Sequence, residues 1–171
     1  MEIVIKKANP NQVEVALEML NSAAVWLKEK GSKQWEKWLD PSDLNKRSIQ
    51  QGFEKGEFYF VYSKSNVLVG MYRLQTEDEA NWGKNKDNAV YVHQLVTNRD
   101  YQGKNVGASI LTSIERELQK KGIEFLRLDC LAESKGLCEY YEKNAFEPKG
   151  LKKREQDGLV YQQYEKDLKG S

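Results

Sequence analysis

The hydrophobic positions of this chain recur with two different periods, one typical of helices and the other of strands. Apolar side chains at steps of three and four residues predict one face of a first helix: Val13, Leu17, Leu20, Ala24 and Leu27. Other short segments, such as EFYFVYS, are rich in aromatic and β-branched residues and are typical of strands. The predicted elements, in chain order, are strand 2–7, helix 10–30, helix 41–51, strands 57–63, 67–75 and 89–97, helix 106–121, strand 124–131, helix 135–144 and strand 158–168.

The first two predicted helices share the same start signal. Asn9-Pro10 and Asp40-Pro41 each place a capping side chain directly before a proline, which favours the first position of a helix. Gly52 follows the second apolar pattern and predicts the end of that helix, because glycine commonly stops helices.

The order of the elements indicates a mixed α/β fold with one central sheet and helices packed on it. The strands at 57–63 and 67–75 are joined by a short polar turn and predict an antiparallel hairpin, and the polar stretch 76–88 is predicted to be a loop. We expect one domain over residues 1–171. The chain lacks G-x-G-x-x-G and G-x-x-x-x-G-K-[ST], so the pattern indicates neither a dinucleotide fold nor a P-loop.

The charge balance argues against a nucleic-acid-binding protein. Lys and Arg total 27 against 26 Asp and Glu, and the longest positive cluster, Lys152-Lys153-Arg154, lies in a predicted turn. The chain has no apolar run of signal-peptide or membrane-spanning length, so we expect a soluble, cytoplasmic protein without a membrane partner.

Metal binding and disulfide scaffolds are also disfavoured. Cys130 and Cys138 are separated by seven residues with no companion histidine nearby, and His93 is the one histidine of the chain. We therefore expect no metal site and interpret both cysteines as small packed side chains.

The most informative segment is the turn that joins the strand at 89–97 to the following helix. Several backbone N–H groups of such a turn and the positive end of the helix dipole can face one anion. The turn therefore predicts a phosphate site for a nucleotide-like cofactor, formed by Gln102, Gly103, Lys104, Asn105, Val106, Gly107 and Ala108.

Together with this turn, a second motif makes residues 91–146 resemble the GCN5-related N-acetyltransferase (GNAT) superfamily. In that family the turn reads [QR]-x-x-G-x-[GA] and wraps the pyrophosphate of acetyl-CoA; the chain departs from it at Asn105, a residue that tolerates a left-handed backbone. The second motif usually ends Y-E-x-x-G-F, and here it is Tyr141-Glu142-Lys143-Asn144-Ala145-Phe146. Ser134 stands where many members have an Asn that contacts the cofactor.

The resemblance implies a fold, a co-substrate and a reaction. The implied fold is a single GNAT-like domain with helices on both faces of a mixed sheet and a splay between the fourth and fifth strands. The implied reaction is transfer of an acetyl group from acetyl-CoA to a primary amine of a small molecule or peptide, with no metal. For the oligomeric state, a monomer and a homodimer are both compatible with the resemblance.

Site residues follow from the resemblance as well. The main chain of Leu95, Val96 and Thr97 would hold the pantetheine arm and the acetyl carbonyl. Tyr141 corresponds to the tyrosine that donates a proton to the departing thiolate, although helix packing also explains it. His93 lies where some relatives place a base, with a structural histidine as the alternative.

Other groups are less firmly assigned. The carboxylates Glu57 and Glu77 compete with His93 as the base, and the cluster Glu77-Asp78-Glu79 could attract a cationic amine or could be solvated loop. Three tryptophans could line an acceptor pocket or simply close a core: Trp35, Trp38 and Trp82.

The rival function is a non-catalytic acyl-CoA-binding regulatory module. Asn105, Ser134 and Ala145 favour this alternative because each departs from the family motif, whereas the retained Tyr141 favours an enzyme.

Overall fold

A computed structural model describes residues 1–170 of the chain, so Ser171, the last residue of the predicted domain, lies outside the described residues. Within residues 1–170 there are seven strands and five α-helices. In chain order they are β1 (Ile3–Lys7), α1 (Val13–Glu29), α2 (Asp43–Glu54), β2 (Phe58–Ser63), β3 (Leu68–Gln75), α3 (Glu79–Trp82), β4 (Ala89–Thr97), α4 (Val106–Lys120), β5 (Phe125–Leu131), α5 (Lys135–Lys143), β6 (Glu147–Lys153) and β7 (Val160–Asp167).

The strands form one sheet in the order β1-β2-β3-β4-β5-β7-β6. β4 and β5 run parallel, whereas β1 with β2, β2 with β3, β5 with β7 and β6 with β7 are antiparallel pairs. A parallel pair needs a crossover, and the helix α4 supplies it between β4 and β5. The predicted mixed α/β fold is therefore confirmed, and so is the hairpin of β2 and β3.

The first compact unit of the chain comprises residues 1–73 and 94–110. Its core contains apolar side chains from α1, α2, β2 and β3, with Leu20, Ile49 and Met71 fully buried. Phe53 of α2 stacks on Phe58 of β2 with ring centroids 4.5 Å apart. Each side chain of this size contributes about 1.5–3 kcal/mol when it is removed from water, so this core supports the first two helices.

The second compact unit, within the described residues, comprises 74–93 and 111–170. β5 pairs with β7 along all of its seven residues, from Phe125↔Asp167 to Leu131↔Tyr161. The side chains of Leu126 and Tyr164 are buried at 0% and 1% exposure. This long antiparallel pair gives the second unit a rigid centre.

The pairing of β4 with β5 is short. It covers residues 89–91 and 125–127, and Val92 and His93 have no ladder partner on β5 although β5 continues to Leu131. The next residue of β4, Gln94, has φ 44°, a left-handed value that interrupts a regular strand. The regular ladder between β4 and β5 therefore ends at Tyr91 and Arg127.

The second helix differs from its prediction at both ends. Ser42, and not Asp40, caps α2, because its Oγ accepts the N–H of Asn45 at 3.2 Å. Gly52 lies inside the helix, where a Cβ would come within 2.6 Å of Cε2 of Phe58. Its role is close packing, and Gly56, with φ 69°, follows the actual helix end.

Two elements were absent from the prediction. Lys152 and Lys153 do not lie in a turn but end β6, where they pair with Tyr161 and Val160 of β7. β6 contains a proline and is almost entirely exposed, so an apolar alternation could not reveal it. The predicted loop at 76–88 contains the short helix α3, which Asp78 caps by accepting the N–H of Asn81.

Candidate active site

The turn at 102–108 is exposed and leads directly into α4. Gly103 and Asn105 have left-handed backbones, with φ 78° and 56°, so the asparagine adopts the conformation that its motif position requires. The Ser109 N–H donates to the Asn105 carbonyl at 3.0 Å, which begins the helical ladder. The N–H groups ahead of Ser109 have no acceptor within the helix.

The electrostatics of this turn suit an anion. The first turn of α4 contains no acidic residue, and the helix dipole places partial positive charge at its start. Of the remaining predicted cofactor residues here, Lys104 is exposed, Gly107 and Ala108 are half-buried, and Val106 is buried at 3%. The predicted residues are therefore together in one turn, which can bind a phosphate through its backbone.

The three residues of β4 that were predicted to hold the pantetheine arm do not all direct their main-chain groups to the same side of the strand. A Cβ on Gly70 of β3 would lie 2.9 Å from the Val96 carbonyl oxygen, and the Asn98 N–H donates to Val69 of β3 at 2.8 Å. Polar groups of successive strand residues point to opposite sides. The Val96 main chain therefore faces β3, whereas the main-chain groups of Leu95 and Thr97 point away from it.

Tyr141 lies on α5 and is 93% removed from solvent, with 7% exposure. Its ring packs against three others, those of Tyr140 at 5.6 Å, Phe146 at 5.9 Å and Tyr164 at 5.9 Å between centroids. Burial raises the pKa of the Tyr141 phenol well above its usual value, with smaller contributions from nearby Cys130 and Tyr140. The phenol therefore keeps its proton at neutral pH, as a group that acts as an acid must.

Ser134 and Ala145 flank α5, and both depart from the family motif. The Ser134 carbonyl accepts the N–H groups of Leu137 and Cys138 at 3.0 Å, but its side chain makes no capping hydrogen bond. The Ser134 hydroxyl is thus available to a ligand. Ala145 follows the helix with φ 64°, a left-handed value that glycine adopts more easily.

Ala145→Gly is expected to raise the free energy of unfolding by about 1 kcal/mol, because a left-handed alanine costs roughly that much relative to glycine. Thermal unfolding without ligand measures the effect, which corresponds to about 2–4 °C for a chain of this size. Ala80→Gly, in the exposed α3, is the control and should lower stability. A destabilised Ala145→Gly protein would contradict the strain at this position.

His93 forms an ion-pair contact with Asp78. His93 Nε2 lies 3.1 Å from Asp78 Oδ2, with side-chain exposures of 16% and 7%. The distance is short, but the ring N–H is not aligned on the carboxylate as in a hydrogen bond. Burial by itself would raise the pKa of Asp78, but the contacts with His93 and Asn81 lower it below its usual value.

The sequence had identified Asp78 only as one member of an acidic cluster. In the structure Glu77 and Glu79 are exposed, whereas Asp78 turns inward. The other predicted competitor, Glu57, is engaged in an ion pair with Arg73, with Nε to Oε2 at 2.7 Å. These contacts favour His93 over Glu57 as a base, and no local sequence signal could have revealed either pair.

The three tryptophans predicted as candidate acceptor contacts all have packing roles. Trp38 is 3% exposed in the core of the first unit, and Trp35 packs against that core with φ 64°. Trp82, in the second unit, lies 5.9 Å from the ring of Tyr91 and beneath the guanidinium of Arg127 at 4.9 Å. These contacts match the alternative that the tryptophans close a core.

Neither a metal cluster nor a membrane helix is present in the described part of the chain. No group of three or more His, Cys, Asp or Glu side chains within residues 1–170 is arranged to hold a metal ion. Cys130 and Cys138 are free thiols with Sγ atoms 3.6 Å apart. No helix among these residues is both long enough and apolar enough to span a bilayer.

Comparison with known proteins agrees with this fold. The model of the acetyltransferase (GNAT) family matches residues 16–146. The uncharacterized N-acetyltransferase YesJ of Bacillus subtilis is 29% identical over 155 residues, which are 88% of this chain and 82% of YesJ.

Solved structures show the same architecture. A GNAT-family acetyltransferase from Listeria monocytogenes aligns with a TM-score of 0.78 and 25% identity, over 98% of this chain and 95% of that protein. The PaiA N-acetyltransferase of Thermoplasma acidophilum, solved in complex with coenzyme A, aligns with a TM-score of 0.68 and 19% identity, over 95% and 98% of the two chains. The predicted family is confirmed: the chain belongs to the GNAT acetyltransferase family.

Proposed function

We propose that this acetyltransferase moves the acetyl group of acetyl-CoA to a primary amine of a small molecule or a peptide, and that residues 1–171 act as one domain. The observation that carries the proposal is the exposed turn at 102–108, with left-handed Gly103 and Asn105 at the start of α4. The coenzyme A complex of the similarly folded PaiA protein supports it. The cytoplasmic location and the choice between one chain and a homodimer stay predictions.

In this proposal the backbone of the turn binds the pyrophosphate of acetyl-CoA. The N–H groups of Gly103 and of residues 105–108 donate to the phosphate oxygens, whereas the Lys104 N–H already donates to the Tyr101 carbonyl at 3.1 Å. The dipole of α4 stabilises the negative charge of the phosphates. The main-chain groups of Leu95 and Thr97, which point away from β3, bind the pantetheine arm and the acetyl carbonyl. The free hydroxyl of Ser134 replaces the asparagine contact of other family members.

The proposed chemistry needs one base and one acid. His93 takes a proton from the ammonium form of the acceptor, and the neutral amine nitrogen then attacks the acetyl carbonyl carbon. The tetrahedral intermediate collapses, the C–S bond breaks, and Tyr141 donates its phenolic proton to the CoA thiolate. The surplus proton on the former amine nitrogen is released as the amide forms, and it restores the phenol of Tyr141. The contact of His93 with an ionised Asp78 and the retained proton of Tyr141 support these roles.

The motif departures do not favour the rival binding module. Asn105 and Ala145 both keep the left-handed backbone that glycine supplies in the family motif. Each substitution therefore preserves the local chain path at a modest energetic cost. The departures therefore do not count against cofactor binding, and the retained Tyr141 is the reason that we favour an active enzyme over a regulatory module.

A screen of amine acceptors tests the proposal. Polyamines, aminoglycosides, amino acids and peptides are incubated with acetyl-CoA, and released CoA is detected as a free thiol. We expect at least one class to increase CoA release well above the rate without acceptor. Tight binding of acetyl-CoA without acceptor-dependent release by any class would support the non-catalytic module instead.

A further inference from the structure

His93 is held against one buried carboxylate of the second unit. Asp78 precedes α3 and its Oδ2 lies 3.1 Å from His93 Nε2. We propose that Asp78 is a positioning residue for His93, which fixes the imidazole ring and stabilises the positive charge that the ring acquires with the amine proton. This inference rests on the proposed function, because it assumes that His93 is the base.

Asp78 is itself fixed by Asn81. The Asn81 side-chain amide donates to both carboxylate oxygens, at 2.8 Å to Oδ1 and 3.0 Å to Oδ2. The Asn81 backbone N–H also donates to Oδ1, at 3.3 Å. A carboxylate that accepts three such hydrogen bonds has one well-defined orientation, so Oδ2 is kept beside the histidine.

A second layer of contacts orients Asn81. Arg154 Nε donates to Asn81 Oδ1 at 2.9 Å, and Arg154 Nη2 donates to both oxygens of Asp129, each at 2.9 Å. Gln163 Nε2 donates to the Asn81 carbonyl. Because a guanidinium can only donate, the Asn81 oxygen must face Arg154 and its amide nitrogen must face Asp78.

This arrangement selects one nitrogen of His93 as the proton acceptor. The negative charge of Asp78 beside Nε2 favours the neutral tautomer with its proton on Nε2, even though this N–H is not aligned as in a hydrogen bond, and the Nδ1 lone pair is then left to take the proton of the amine. The charged groups that face this part of the site are Asp78 from the segment before α3, Arg154 from the segment after β6, and Asp129 from β5. Asp78 is the one in ion-pair contact with the ring.

His93 is the one histidine of the chain, so its ring nitrogens give the only imidazole signals in a ¹⁵N NMR spectrum. In the parent protein we expect one protonated nitrogen, Nε2, and one unprotonated nitrogen, Nδ1. In Asp78→Asn and Asp78→Ser the two signals should move toward each other as the tautomers mix. Both substitutions keep a good helix-capping residue, so α3 should remain folded.

Activity is measured on the same proteins. We expect kcat to fall by about 10-fold or more in both Asp78 variants, because they lose the carboxylate that stabilises the charged His93 ring during the reaction. KM should change little, because this charge forms only after the acceptor has bound. Glu155→Gln removes an exposed carboxylate beside Arg154 and is the charge-matched control.

Two outcomes would overturn the inference, and they are distinguishable. Parent-like ring signals and kcat in both folded Asp78 variants would show that Asp78 does not position the histidine. Altered ring signals together with parent-like turnover in His93→Gln would show that the pair exists but that His93 is not the base. The second result would contradict the proposed base and, with it, the catalytic role of Asp78.

Discussion

Gly107→Glu is expected to abolish the stabilisation of the protein by acetyl-CoA. The new carboxylate would lie in the first turn of α4, where the proposed pyrophosphate binds, so its charge and bulk oppose the ligand. For the parent, acetyl-CoA at 100 times its Kd should add about 2.7 kcal/mol to the free energy of unfolding. That corresponds to a rise in Tm of about 5–10 °C, which the variant should lose.

Folding of the variant is not expected to suffer. A glutamate in the first turn of a helix interacts favourably with the helix dipole, and it replaces a glycine, which is a poor helix former. Thr112→Glu, at an exposed position farther along α4, is the matched control and should keep the full acetyl-CoA shift. An unchanged shift in a folded Gly107→Glu protein would place the pyrophosphate elsewhere.

Tyr141→Phe is expected to lower the single-turnover rate by ~10²-fold or more, which is roughly 3 kcal/mol of transition-state stabilisation. The substitution keeps the ring that packs against Tyr140, Phe146 and Tyr164 and removes only the hydroxyl. The Kd for acetyl-CoA should stay nearly unchanged, because the proton is needed only when the thiolate departs.

Tyr140→Phe is the matched control for this experiment. Tyr140 is the neighbouring residue of α5 and is half-buried, and burial raises the pKa of its phenol as well. It has no assigned role in the chemistry, so its rate should change little. Equal, small rate losses from the two substitutions would remove Tyr141 from the mechanism.

The parts of the fold that the sequence predicted best are those whose side chains or turns carry a local signal. β4 was predicted with its observed bounds because most of its residues are apolar, β-branched or aromatic and a polar turn follows. The turn at 102–108 was predicted because Gly103 and Asn105 are residue types that accept a left-handed backbone. A signal of this kind needs no knowledge of distant residues.

The parts that could not be predicted depend on distant partners. In the sequence Gly52 indicates the end of a helix, because its close packing against Phe58 is visible only in the structure. β6 forms a strand because it pairs with β7, and that pairing leaves no local signal in its sequence. Asp78 and His93 are fifteen residues apart along the chain and belong to different elements. Their contact depends on the packing of α3 and on Arg154, which no periodicity reveals.

The central claim is that the chain transfers acetyl groups to an amine from a cofactor bound at the turn of α4. It is tested most directly by following an isotopically labelled acetyl group from acetyl-CoA into product by mass spectrometry. We predict that the labelled amide forms in equal amount to the CoA released, and that Gly107→Glu forms neither. Release of CoA with labelled acetate and no labelled amide, for every acceptor class, would contradict the claim.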